Sequence, residues 1–186
     1  ESDFKSWDNS YGYGITKLSH LHFTSTQKYR QQVIRFGEHS ERVFNVGSLL
    51  IEKIKTRPLR GKKCFYNDTG LKKTDQFLFI SYHPDAAIGS KNRHIFQEIL
   101  ESLNDDHFKK FKLVFNKPQA DGFGKMIIQM IDDFSYDHPN QVVALPSMNL
   151  TDFSRALKYC SALVGNSSEG MIIAPSFKTP VINIGS

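Results

Sequence analysis

Cysteine is almost missing from this chain: Cys64 and Cys160 are the only two among 186 residues, far apart and without a C-x-x-C partner. That excludes a disulfide framework and a thiolate zinc site, and it leaves two reduced thiols. Long apolar runs are missing as well. No stretch approaches the ~18 apolar residues of a membrane-spanning helix, and Glu1 opens a polar segment without the basic-then-apolar order of a signal peptide. The expectation is a cytoplasmic protein with no membrane partner. Walker loop, G-x-G-x-x-G fingerprint and nucleophile elbow are absent too. His20, His22, His39, His94, His107 and His138 lack ligand spacing around carboxylates or thiols, so neither a metal site nor a cofactor is expected.

What is present is a basic excess, with 24 Lys and Arg against 19 Asp and Glu. It is densest from Lys53 to Lys73, IEKIKTRPLRGKKCFYNDTGLKK. No interleaved aromatic motif or helix-turn-helix pattern accompanies it, so a solvated linker is expected there, not a nucleic-acid site. A positive field also suits an anionic nucleotide-sugar.

From Gln76 onward strand and helix patterns alternate: QFLFISYHP, NRHIFQEILESLN, KLVFNK, GKMIIQMIDDF, QVVALPS, LTDFSRALKYC, ALVGNSS, EGMIIAPSF and PVINIGS. Ile95, Phe96, Ile99, Leu100 and Leu103 recur at helical spacing. The fold class is therefore α/β, a doubly wound parallel sheet with right-handed crossovers. Before Gln76 lie an irregular aromatic opening (SDFKSWDNSYGYG), a strand-like run holding His20 and His22, and a helix QKYRQQVIRFG with Gly37 at its C-terminal end. Three regions are expected: 1–47, the tail of one Rossmann-like lobe; 48–75, a linker; and 76–186, a second Rossmann-like lobe. The first block supplies too few strands for a sheet of its own, so the reading is of a fragment of a two-lobed protein.

Each strand of the second lobe ends in a polar cluster: His83 with Pro84, then Asn116 to Asp121, then Ser147, then Asn166 to Ser168. In a parallel sheet all such tips fall on one edge, where loops meet helix N-termini whose unpaired N–H groups attract anions. In GNSS the Ser167 and Ser168 hydroxyls with the following N–H groups are able to hold a diphosphate, and the same residues are equally able simply to cap the helix. Pro84 keeps His83 extended at its strand tip, where it could donate to a phosphate, protonate a leaving group or serve structure alone. Asp3 and Asp8 lie among aromatic residues, a setting that raises carboxyl pKa values, though Asp in a turn is also a common cap.

ITKLSHLHFTST, RVFNVGS, the YHP tip, KPQADG and GNSSEGMIIAPSFKTPVINIG together resemble the hydrolysing UDP-N-acetylglucosamine 2-epimerases of the sialic and legionaminic acid pathways. The resemblance implies two lobes of the glycosyltransferase B kind, with a nucleotide-sugar between them. It implies elimination of UDP across C1 and C2, then hydration that inverts C2. It assigns Asp8 and His83 catalytic roles. Substrate contacts fall to Ser147 on the nucleoside side, to Gln119, and to Asn166, Ser167 and Ser168 around the diphosphate. Gly12 and Tyr13 stand where the family has Arg-His, Gln119 where it has Asn, Ile173 where it has a ribose-binding Glu, and Lys178 where it has Gly. The implied partner is a UDP- or GDP-linked aminosugar, and a homo-oligomer is expected. By itself the chain is expected to be inactive, lacking most of one wall of the cleft. An inactive nucleotide-sugar-binding relative, or a glycosyltransferase of the same fold, is the alternative reading.

Overall fold

A computed structural model describes residues 7–56, 59 and 61–185, and the chain divides into two units, 1–57 and 58–186. In the first unit the order is α1 (Trp7–Leu18), β1 (His22–Thr24), α2 (Gln27–Arg35), β2 (Val43–Asn45) and α3 (Leu49–Thr56). Thr26 starts α2 by accepting from the Tyr29 N–H at 3.2 Å, the role a hydroxyl plays at a helix N-cap. The two strands pair in parallel, His22 opposite Val43 and Thr24 opposite Asn45. Lys17, in the last turn of α1, donates to the Glu38 carboxylate at 2.8 Å and to the Phe36 carbonyl at 2.5 Å, and its ammonium, the main cause, holds Glu38 below the usual carboxylate range.

Two expectations for this region are corrected. The opening does not read on irregularly into a strand: helix α1 takes in Tyr11 through Leu18, and only His22–Thr24 is strand. Gly12, Gly14 and Asn9 weaken the local helical signal, whereas contacts distant in sequence favour the helix, among them the Lys17–Glu38 ion pair and a Tyr13–Phe36 ring stack with centroids 4.6 Å apart. The stretch expected as linker holds α3 and, in the second unit, α4 (Lys62–Thr69). Phe65 and Tyr66 of α4 are each only 2% exposed, so the basic flanks of this stretch conceal two core residues.

The second unit continues with β3 (Phe77–Ser81), α5 (Lys91–Leu103), β4 (Lys112–Asn116), α6 (Gly124–Asp137), β5 (Val142–Leu145), α7 (Leu150–Tyr159), β6 (Ala162–Gly165), α8 (Ser168–Phe177) and β7 (Val181–Asn183). Its five strands are all parallel, in the order β5-β4-β3-β6-β7. All five residues of β3 are buried, as expected of a central strand covered on both faces. Alternate side chains serve the two faces. Leu78, Ile80, Leu113 and Phe115 pack with Phe96, Ile99 and Leu100 of α5 and Ile127 and Ile131 of α6. On the other face Phe77 stacks on Phe65 of α4 at 5.7 Å, and Phe79 meets Phe153 of α7 edge-on at 5.1 Å. Arg155 of α7, 4% exposed, fastens α4 by donating to Asp68 at 3.0 Å while also holding Asp152 at 2.8 Å. Cys64 and Cys160 are free, and burial pushes the Cys160 thiol up to about 12. No helix among the described residues is long and apolar enough to cross a membrane.

Candidate functional site

β3 and β6 lie side by side, yet the chain leaves β3 toward β4 and leaves β6 toward β7, on opposite sides of the sheet. Strand order reverses between them, and the gap beyond their carboxyl ends is the position where open α/β sheets take ligands. The two tips are tied together. Asn166 accepts from the His83 N–H and donates to the His83 carbonyl, both at 2.7 Å. Gly165 permits this approach: its φ is +145°, and a Cβ there would stand 2.0 Å from the Ser81 carbonyl oxygen, so only glycine fits.

Behind the tips runs a buried polar chain. Met148 donates its backbone N–H to Asn116 Oδ1 at 2.9 Å, Asn116 Nδ2 donates to Ser81 Oγ at 3.2 Å, and Ser81 Oγ lies 3.4 Å from His83 Nε2. Ser81 is 0% and Asn116 4% exposed, yet each finds partners, as buried polar groups must. Ser167 Oγ accepts from the Gly170 N–H at 3.2 Å and so caps α8. Gly170 lets α8 close on β6, since a Cβ there would stand 2.4 Å from Leu163 Cδ2.

Beside these groups opens a cavity of about 560 Å³ whose lining includes His83, Asn166, Ser167 and Ser168 with Asn116, Gln119 and Ser147, a size suited to a small-molecule ligand. Asp121 and Glu169 also line it, and among the described residues neither Lys nor Arg does. Burial of the His83 ring holds its pKa below the ordinary histidine value, and the Glu169 carboxylate opposes that effect. Among the described residues no cluster of three or more His, Cys, Asp and Glu is arranged to hold a metal.

A family model described as UDP-N-acetylglucosamine 2-epimerase matches residues 3–186. The chain belongs to this family. It is 32% identical, over 96% of its length, to the GDP/UDP-N,N'-diacetylbacillosamine 2-epimerase (hydrolyzing) of Campylobacter jejuni subsp. jejuni. It is 28% identical, again over 96%, to the UDP-N,N'-diacetylbacillosamine 2-epimerase (hydrolyzing) of Legionella pneumophila subsp. pneumophila. The chain spans about half, 46%, of either relative. Among solved structures the S. aureus MnaA-UDP co-structure matches with a TM-score of 0.71 at 22% identity, covering 92% of this chain and 45% of that one. That likeness shows the expected α/β, Rossmann-like architecture of the glycosyltransferase B kind.

Six of the seven site residues expected of a 2-epimerase line the one cavity: His83, Gln119, Ser147, Asn166, Ser167 and Ser168. The seventh, Asp8, falls in the first turn of α1, but its side chain lies outside the described residues. Ile173, where the resemblance implies a ribose-binding carboxylate, is fully buried and outside the lining. Sequence reasoning passed over Ser81 and Glu169. The one sits between Ile80 and Tyr82 and reads as strand interior, and the other reads as an ordinary acidic residue of a first helical turn.

Proposed function

We propose that the protein is a hydrolysing 2-epimerase acting on a UDP- or GDP-linked N-acetylated aminosugar. Elimination breaks the C1–O bond to the diphosphate as the C2 proton is removed, and the nucleoside diphosphate leaves. Water then adds its oxygen to C1 of the glycal while a proton returns to the opposite face of C2, giving the inverted free sugar. The observation that carries this reading is the gathering of His83, Asn166, Ser167 and Ser168 around one cavity at the sheet's switch point. The named activity of the 32% identical relative supports it.

In this reading the backbone N–H groups at the start of α8, with Ser167 and Ser168, hold the diphosphate, and His83 donates to the leaving phosphoryl oxygen. Ser147 and Gln119 contact the nucleoside side, and Asp8 moves a proton at the sugar. The reading extends to a cytoplasmic homo-oligomer that supplies the C2-inverted sugar for a sialic-type acid. Incubation of the complete protein with UDP- and GDP-linked aminosugars in heavy water is the test. Release of nucleoside diphosphate with one deuterium at C2 of the free sugar is expected; release with no deuterium at C2 points to a glycosyltransferase-like hydrolysis, and no release from any member of the panel sinks the proposal.

A further inference from the structure

The polar chain behind the cavity has a direction, and that direction leaves the Ser81 hydroxyl hydrogen free to point at His83. Its starting point is a backbone N–H, which can only donate. Because Met148 N–H points at Asn116 Oδ1, the other end of that amide, Nδ2, must be the donor toward Ser81. The Ser81 oxygen thus receives a hydrogen from Asn116, and its own hydrogen is free to turn to the remaining neighbour, His83 Nε2, 3.4 Å away. A nitrogen that accepts carries no hydrogen. The His83 backbone is held by Asn166, which grips both its N–H and its carbonyl.

We propose that Ser81 is a positioning residue for His83: its buried hydroxyl donates to Nε2, so the neutral ring carries its hydrogen on Nδ1 and offers an N–H donor to a ligand in the cavity. Asn116 sets the direction of the Ser81 hydroxyl, and Met148 sets that of Asn116. Nδ1 takes no partner among the described residues, so it is available to a phosphoryl oxygen. What the donor acts on rests on the nucleotide-sugar reading above; the tautomer itself does not. The same arrangement opposes protonation, because a charged ring would turn Nε2 into a donor facing a hydroxyl already aimed at it. Burial acts in the same sense, while Glu169 of α8 acts against it. Asp121, on the loop after β4, is the other carboxylate of the lining, and both remain in every variant below.

Long-range proton–nitrogen spectra of the complete protein labelled with [15N]histidine, recorded where the ring is neutral, read the tautomer directly. The expected spectrum is that of an Nδ1–H ring for His83. Ser81→Ala should return the ring to mainly Nε2–H and raise its pKa by about half to one pH unit, the worth of one lost hydrogen bond to the neutral form. Asn116→Asp keeps the shape and the Met148 contact but draws the Ser81 hydrogen to the new carboxylate. It should likewise give Nε2–H, so the proposal stays decidable if Ser81→Ala does not fold. An Nε2–H ring in the unaltered protein, or an unchanged tautomer in Asn116→Asp, overturns the assignment. No ligand enters these spectra. Absence of UDP binding by calorimetry, with the Nδ1–H ring intact, would count against the nucleotide-sugar reading and leave this one standing.

Discussion

Glu169 and the helix that carries it act on a bound anion in opposite senses: the first N–H groups of α8 attract it, and the carboxylate one residue past Ser168 repels it. The same carboxylate keeps the depressed pKa of His83 from falling further. Glu169→Gln should therefore lower the His83 pKa again and tighten UDP by several-fold, readable by proton titration and calorimetry. The pH dependence follows in sign. The folded ring gives up its proton at a lower pH than the ordinary 6.5, so as pH falls through that value the unfolded chain binds more protons and stability declines, levelling below the folded pKa. Glu169→Gln extends this declining window to lower pH, and denaturant unfolding at stepped pH checks it. His83 could be found from the sequence because a strand pattern runs into His-Pro. Ser81 could not, since nothing in FLFIS distinguishes a hydroxyl that orients a ring from one that merely fills a central strand.

Helix α8 ends on Lys178, whose φ of +58° and ψ of +30° are left-handed. A side chain with a Cβ is strained there, whereas glycine is not. The Lys178→Gly variant should raise stability by up to about 1 kcal/mol, measured as a higher urea midpoint with an unchanged slope. The sequence marks this turn through the resemblance alone, but the conformation explains why glycine suits it. The strands and helices after Gln76 were legible because each is buried on a regular period. Helices α1 and α4 were not: the glycines of the first dilute its pattern, and in the second two buried aromatics sit among lysines and polar residues. Contacts with distant segments decide both, and no local window contains those contacts.

The unit 58–186 carries its own five-stranded sheet, helices on both faces and aromatic core. Expressed alone, residues 58–186 should therefore unfold in one cooperative transition, followed by circular dichroism in urea. A gradual, non-cooperative loss of signal would show that the core as described is not sufficient. All six described site residues belong to this unit, so under the proposed function it is the unit that would carry the nucleotide contacts.

The sheet is laid down from its middle outward: β3 first, then β4 and β5 to one side, and only afterwards β6 and β7 to the other. As the chain emerges from the ribosome, one flank of β3 waits unpaired through some eighty residues until Ala162–Gly165 arrives to fill it. The Asn166 clamp on His83 can close only then, so this rim of the cavity forms later than the β3-β4-β5 flank of the sheet. A nascent chain stalled before β6 would hold three of the five strands and lack Asn166, Ser167 and Ser168, and under the proposed function nucleotide would protect it from proteolysis only after β6 has inserted.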